Sequence, residues 1–508
     1  MGITKQMRRI AGPTDHVVVV GAGLAGLSTA LRLAGAGRSV TLLERAAVPG
    51  GRAGVRRVEG YTFDTGPTVL TMPDLVADAL DCVGERLTDW LRLDRLDPAY
   101  RARFADGSSI DVHADPERMA AAIEGFSGAR DAAGYRDLVA WTTRLYRAQM
   151  RSFIDRNIDS PLGLLVPDLA RLAAAGGFGR LDRAVGRRLT DPRLRRIFSF
   201  QSMYAGLAPA RALAAYAVIS YMDTVAGVWF PRGGMHAVPA ALAGAAVKHG
   251  VDLRLSTPAV AVERRGGRAV AVRTADGERV ACDALVLTAD LPVAWSELLG
   301  GQPRRVRRLR YSPSCALLLV GSRAGASDPA HHEVNFGAAW EQTFAELIDE
   351  GELMSDPSFL VSTPTVADRG AAPPGRHCHS VLFPTPNLTA GQNWARLREP
   401  YRESMIATLE ARGWSGFGAR IEVSEFVTPA DWADRGMAAG TPFAANHSFR
   451  QTGPFRPANL AAGWANVVFA GSGTVPGVGV PCVLISGRLA AERITGPDPS
   501  YHSRTWIS

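Results

Sequence analysis

The sequence predicts an α/β protein in which a parallel sheet carries a dinucleotide site, an antiparallel sheet completes the fold, and a helical region is inserted between them. Three observations predict it. A short apolar run, His16-Val17-Val18-Val19-Val20, passes straight into Gly21-Ala22-Gly23-Leu24-Ala25-Gly26 and a helical pattern. A second glycine-rich strand-to-helix turn, from Gly471 to Pro481, stands near the other end of the chain. Between them, residues 115–222 are rich in Ala, Leu and Arg in a helical pattern, and the β-like runs that follow are separated by turn pairs.

The first run is too short for a helix and has no polar alternation, so it is a strand buried on both faces. Strand, G-x-G-x-x-G and helix is the order a Rossmann-type nucleotide unit requires. Gly21 makes the tight turn, Gly23 lets the backbone approach a pyrophosphate, and Gly26 lets the helix pack closely. The helix N-terminus then offers free N–H groups to the phosphates. A second strand, Ser39 to Leu43, ends on Glu44, whose carboxylate is placed to accept ribose hydroxyl bonds. Downstream come Pro49-Gly50-Gly51-Arg52-Ala53 and Phe63-Asp64-Thr65-Gly66-Pro67-Thr68. A glycine pair lets the chain pass a large cofactor a second time, with Arg52 available to neutralise its phosphates. A nicotinamide site has no need of this second pass, so the expected cofactor is FAD. The expected contacts are Gly21, Gly23, Gly26, Glu44, Arg45, Gly51, Arg52, Gly66, Pro67, Thr68, Val260, Gly471 and Val480.

Taken in order, residues 1–15 read as a mobile basic arm, Pro73 to Trp90 as one amphipathic helix, and Ala102 to Val112 as a hairpin turning at Asp106-Gly107. Residues 252–290 are β-rich, with turns at Gly266-Gly267 and Asp276-Gly277, and Ala284 to Thr288 rejoins the parallel sheet. Ala316 to Val320, Ser380 to Phe383 and Ile421 to Val427 read as strands of the antiparallel sheet. Asn466 to Ala470 is a last buried strand. The turn after it lacks an acid-tipped partner strand, so it is not a second dinucleotide unit. The helix from Pro481 points its N-terminus at the cofactor instead. The expected division is 1–114, 227–310 and 455–508 for the FAD-binding domain, 115–226 for a helical membrane-associating lid, and 311–454 for substrate.

Composition narrows the class. Of 508 residues, 46% are apolar and 21% charged, as in a folded globular chain. The net charge of +8 admits nucleic acid or an anionic membrane as partner. No helix-turn-helix, zinc-finger or RNA-binding signature accompanies it, so nucleic acid is not expected. Five scattered cysteines without a C-x-x-C suit reduced cytosolic thiols. The N-terminus lacks the apolar core of a signal peptide, and no run reaches the ~20 apolar residues of a spanning helix. The expectation is a cytoplasmic protein bound peripherally to the cell membrane. Two segments suit that role: the apolar, proline-flanked stretch Ser160 to Leu172, whose plain alternative is a helical cap, and the basic run Arg304 to Arg310. His331-His332 and His377-Cys378-His379 lack companion ligands at metal spacing, so no metal is expected.

Gly50 to Ala53, Phe63 to Thr68, Phe198 to Ser202, Gly227-Val228-Trp229-Phe230-Pro231-Arg232-Gly233-Gly234, Ala330 to His332, Phe455 to Pro457 and Gly471-Ser472-Gly473-Thr474 with Pro476-Gly477 together resemble the bacterial-type phytoene desaturases. The matches run from about residue 16 to 495. Val475 departs from the pattern, standing where a histidine is usual. The resemblance implies FAD, a membrane surface, a long isoprenoid hydrocarbon such as phytoene as substrate, and a quinone or oxygen as final electron acceptor. It further implies that a D-x-x-R pair, here Asp168 and Arg171, acts in catalysis, with Asp168 in an apolar pocket at raised pKa and Arg171 orienting it. The plain alternative is a surface ion pair. An amine oxidase, a carotenoid isomerase and a non-catalytic prenyl-binding protein share the nucleotide fingerprint and stand as alternative functions.

Overall fold

The computed structural model describes residues 7–324 and 329–498. Its centre is a five-stranded parallel sheet in the order Val467–Phe469, Ala284–Leu287, His16–Val20, Ser39–Leu43 and Asp252–Arg254. Apolar residues occupy successive positions because both faces are covered. Val17 and Val19 pack into the core shared with the glycine-loop helix, Leu24–Gly35, and the C-terminal helix, Val480–Thr495. Val18, Leu43, Leu285 and Leu287 pack the other way, against Ala269, Val272 and Val280 of a three-stranded antiparallel sheet. That sheet turns at Gly266-Gly267 and Gly277, all at positive φ, as the turn pairs predict.

The second sheet has seven strands in the order Ile421–Val427, Ser314–Arg323, Arg376–Thr385, Phe359–Ser362, His332–Phe336, Tyr100–Phe104 and Ser109–Val112. It is antiparallel except where His332–Phe336 runs parallel to Tyr100–Phe104. Ala316, Leu318 and Val320 point beneath the helix Trp394–Ala411, while Cys315, Leu317 and Leu319 point to Tyr61 and Phe63 of a small hairpin. The Asp106-Gly107 hairpin therefore forms, and it pairs with this sheet, not with the nucleotide unit that precedes it in sequence.

Two local expectations are corrected. Residues 74–90 are two helices, Asp74–Asp81 and Leu87–Trp90, parted where Gly84 takes a positive φ. Residues 8–11 are not a mobile arm. Arg8 N–H donates to Asp159 (2.8 Å), Ile10 N–H to the Arg493 carbonyl (3.0 Å) and Ala11 N–H to the Ala465 carbonyl (3.1 Å). Residues 1–6 of that expected arm lie outside the described residues.

The helical region hangs on the nucleotide unit through a buried polar network. Arg488 on the C-terminal helix pairs with Asp155 and Glu492, and Arg493 pairs with Asp159 at 2.7 Å. Asn157 donates to the Leu489 carbonyl at 3.0 Å. Removing one partner of such a group strands the other in low dielectric, so the insertion is fixed firmly in place.

Candidate functional site: a dinucleotide cradle

The glycine loop is held from three sides. Gly21 N–H donates to the Leu43 carbonyl (2.7 Å), and Gly21 lies at φ +103°. A Cβ on Gly26 would fall 1.9 Å from the Gly21 oxygen, so only glycine lets the helix sit this close to the turn. At Gly23 the space is open, with nothing nearer than 3.9 Å to a would-be Cβ. The first bond along the helix runs from Leu27 N–H to the Gly23 carbonyl (2.9 Å), so the N–H groups of Leu24, Ala25 and Gly26 precede it. The helix has no side-chain cap and no acid in its first turn. This uncapped, positive, sterically open end fits a pyrophosphate.

Glu44 is buried. It accepts from Ala22 N–H (2.7 Å) through one oxygen and from Ala46 N–H (2.8 Å) through the other. Each oxygen keeps a further lone pair for a ribose hydroxyl. The second pass docks directly on the first: Gly50 N–H donates to the Ala22 carbonyl (2.9 Å), and Gly51 rests against Gly23. Gly66 packs on the Arg52 carbonyl, and Pro67 and Thr68 follow, half-buried. Asp64 takes the N–H groups of Met235 (2.8 Å) and His236 (3.1 Å), and burial raises its carboxyl to about 6. At the far end Gly471 N–H donates to Ser486 Oγ (3.0 Å), which in turn donates to the Val475 carbonyl (2.7 Å). That serine ties the second glycine turn to the helix that begins at Val480.

Other residues of the predicted set have protein partners of their own. Arg52 pairs with Asp290 at 2.6 Å and donates to Ser472, which stitches the second pass to the closing glycine turn. Arg45 is exposed and donates to the Arg435 carbonyl. Val260 is an exposed strand residue, three positions after Thr257, whose N–H donates to the Glu44 carbonyl (2.7 Å). Arg456, absent from the predicted set, is fully buried and holds the Ser472 (2.7 Å) and Thr474 (2.9 Å) carbonyls of the closing turn. Burial lowers its guanidinium to about 10.

Beyond the cradle the chain packs a set of aromatic rings. Leu70, two residues after Thr68, exchanges both backbone bonds with Trp229 (2.8 Å each). Phe230 then lies 4.6 Å from the His331 ring, and Thr68 Oγ1 lies 3.2 Å from His332 Nε2. Both histidines are buried, and among the described residues neither ring nitrogen of His331 has a partner. Burial lowers them to about 3 and about 4, so both are neutral at ordinary pH. Phe200 in turn contacts Tyr100 (6.1 Å), Tyr204 (5.8 Å) and Phe336 (5.6 Å).

Asp168 does not stand in an apolar pocket at raised pKa. It sits in the first turn of Pro167–Ala174, accepting from Ser152 Oγ (2.5 Å) and Arg171 (2.6 Å), and these donors lower its carboxyl, Ser152 first. The Arg171 side chain is 72% exposed. Asp223, in the π-helical turn Met222–Ala226, is instead raised by burial, to about 7. One signal pointed to it in the sequence: it closes the apolar stretch Leu213 to Met222, just before the Gly227 block.

Cradle and second pass define a flavoprotein oxidoreductase that uses FAD. Residues 24–495 match the flavin containing amine oxidoreductase family. The chain belongs to that family and, within it, to the bacterial-type phytoene desaturases. It is 60% identical over 494 residues, 97% of each chain, to a protein of Streptomyces griseus named phytoene dehydrogenase. It is 35% identical to the zeta-carotene-forming phytoene desaturase of Myxococcus xanthus, covering 94% of this chain and 93% of that one. Among solved structures, an oxidoreductase from Methanosarcina mazei shares the fold at a TM-score of 0.63 and 15% identity, covering 93% of this chain and 99% of the other.

Proposed function

We propose that the protein desaturates phytoene, or a closely related isoprenoid hydrocarbon, in carotenoid biosynthesis. The single observation that carries the reading is the 60% identity, over 97% of each chain, to the Streptomyces phytoene dehydrogenase, whose named substrate has no polar atom to grip. Such a substrate binds through apolar burial at roughly 25 cal/mol per Å2. Phytoene is the compound that the names of the Streptomyces and Myxococcus relatives share. FAD, when bound, accepts a hydride. The protein's part is to place the reacting bond, exclude water and take the proton. In this reading Gly21, Gly23 and Gly26 receive the pyrophosphate, Glu44 the ribose, and Gly66 to Thr68 with the Gly471 turn and Val480 the flavin end.

The proposed division of labour gives 1–114, 227–310 and 455–508 to the cofactor, with residues 100–112 lent to the second sheet. Residues 311–454 form the substrate side and 115–226 the lid. The lid suits a membrane surface. Leu162 and Leu165 are 70% and 73% exposed, and Phe178 lies nearby in the chain, also exposed. Gly177 and Gly179, on either side of Phe178, accept from Ala215 and Ala214 (2.8 Å each), and Tyr216 bonds to Thr452 (2.8 Å). Phe449 and Phe455 follow, exposed and 5.7 Å apart, with Arg305 donating to the Phe455 carbonyl (2.6 Å). Apolar side chains flanked by the arginine run are what an anionic bilayer binds. His447 N–H, bonded to the Ala205 carbonyl (2.9 Å), links this face to the turn that carries Tyr204.

No helix among the described residues is long and apolar enough to cross a membrane, in keeping with this peripheral reading. A quinone or oxygen would reoxidise the flavin. The test is incubation with FAD, a quinone and phytoene-loaded liposomes, followed by product spectra. Conjugated, coloured products are expected. Uncoloured phytoene alongside peroxide formed from amines would overturn the reading in favour of an amine oxidase.

A further inference from the structure

We infer that a small cavity in the helical insertion, where Arg187 and Arg188 meet the indole of Trp141, is a site for the phosphate group of a phosphate ester. It lies outside the dinucleotide cradle, and its occupancy is independent of the desaturase reading. The cavity measures about 170 Å3, and three elements build it. The helix Ala129–Gln149 carries Gly134, Asp137, Trp141 and Arg144 at spacings of three and four, so they share one face. The turn after the helix Leu181–Gly186 brings Arg187 and Arg188 onto that face. It comes this close because residue 134 is glycine: a Cβ there would fall 2.0 Å from the Arg188 carbonyl oxygen. Ala175 and Gly176, following the helix Pro167–Ala174, complete the wall, and Trp141 Nε1–H donates to the Ala175 carbonyl at 2.8 Å.

The Arg188 guanidinium is held in place before any ligand arrives. It lies over the Trp141 ring, 4.4 Å from the centroid, its Nε stands 2.8 Å from an Asp137 oxygen, and its Nη1 donates to the Ala184 carbonyl (2.8 Å). Those contacts leave Nη2 to donate elsewhere. Arg187 is exposed, lines the same space, and among the described residues has no ion-pair partner. Burial lowers the Arg188 guanidinium; Asp137 opposes the shift, and the like charges of Arg144 and Arg187 add to it. Three guanidinium groups therefore crowd one carboxylate, and an anion between them relieves the repulsion.

The lining selects the ligand. The indole N–H and Asp137 are committed to protein partners, and Arg188 covers the Trp141 face, so a cation finds no seat. What remains free are N–H donors on planar forks, which match the oxygens of a phosphate two at a time. The cavity is smaller than the roughly 300–1,000 Å3 of sites that enclose a drug-sized ligand, so a compact headgroup fits and a dinucleotide does not. Phe178, two residues beyond Gly176, is exposed. An ester with an apolar tail bound here would have that ring beside it. A lipid headgroup and a soluble phosphate ester share this chemistry.

The experiment uses the full-length holoenzyme as wild type, Arg187→Gln and Arg188→Lys. Arg188→Lys keeps the charge and loses the fork, while Arg187 is exposed and free of ion pairs, so its replacement should leave Tm and FAD content unchanged. One arm measures flotation with phosphatidylcholine vesicles containing phosphatidate, against vesicles brought to the same surface potential with oleate. The other titrates glycerol phosphate by calorimetry. With a lipid source, wild type is expected to bind phosphatidate vesicles more tightly than oleate vesicles, and either variant to weaken that binding roughly 10-fold. With a soluble source, glycerol phosphate is expected to bind with the same loss in the variants, and the two vesicle types to bind alike. Equal binding to both vesicle types with no binding of glycerol phosphate overturns the inference. So does a phosphate preference that survives in both variants. If Arg188→Lys lowers the Tm, Arg187→Gln decides. If wild type floats with neither vesicle type, the membrane reading fails instead, and the glycerol phosphate titration decides this site alone.

Discussion

Glu44 has two tasks at the cradle. Its oxygens fix the Ala22 and Ala46 N–H groups, and so the shape of the glycine turn, before any ribose arrives. Truncation removes a charge-assisted bond to the cofactor and leaves a buried N–H without a partner. Glu44→Ala should therefore weaken FAD binding by about 1.5–3 kcal/mol, or roughly 10- to 150-fold in Kd. Titration of the apoprotein by flavin fluorescence measures it, and an unchanged Kd would refute the ribose assignment. The contrast between Asp168 and Asp223 belongs to the same scale. A D-x-x-R spacing is compatible with a surface ion pair and with a catalytic one. What separates such cases is the surroundings of the carboxylate, and for Asp168 these are set by a residue distant in sequence, Ser152, which donates to it together with Arg171 and lowers its carboxyl.

The strand-turn-helix unit is the element on which the others assemble. Its two glycine segments are in direct contact, and the C-terminal helix crosses it so closely that Thr29 Oγ1 donates to the Gly487 carbonyl (3.1 Å). Gly26→Ala would drive a methyl group into the Gly21 carbonyl, and overpacking of this kind costs about 1–3 kcal/mol. A lower Tm together with a loss of bound FAD is expected. A variant with wild-type Tm and full flavin content would show that the helix can back away. The elements carried by local pattern were legible: the buried strands, the glycine turns and the hairpin pairs. The break at Gly84 and the docking of residues 8–11 were not, because each depends on a surface supplied by another part of the chain.

At the scale of the whole molecule, the exposed apolar residues and the arginine run lie on segments bonded to one another from Phe178 through Tyr216 to Phe455. Liposome flotation should recover the protein with anionic vesicles, less at high salt but not zero, since salt screens only the charged part. Phe449→Ser combined with Phe455→Ser should lower the floated fraction and the rate on liposome-held phytoene while leaving FAD content intact. Undiminished flotation of the double variant would place the membrane contact elsewhere. The sequence by itself determined the nucleotide unit, its FAD-type second pass and the return of the chain to the cofactor at both ends. Those features rest on short-range rules: period, turn chemistry and the steric need for glycine. Only the tertiary structure decided that Arg52 pairs with Asp290, that the 100–112 hairpin joins the seven-stranded sheet, and that the Asp168 carboxyl is lowered by its donors while that of Asp223 is raised. Charge pairing and burial are made by residues that meet only when the chain is folded, so no reading of spacing along the chain contains them.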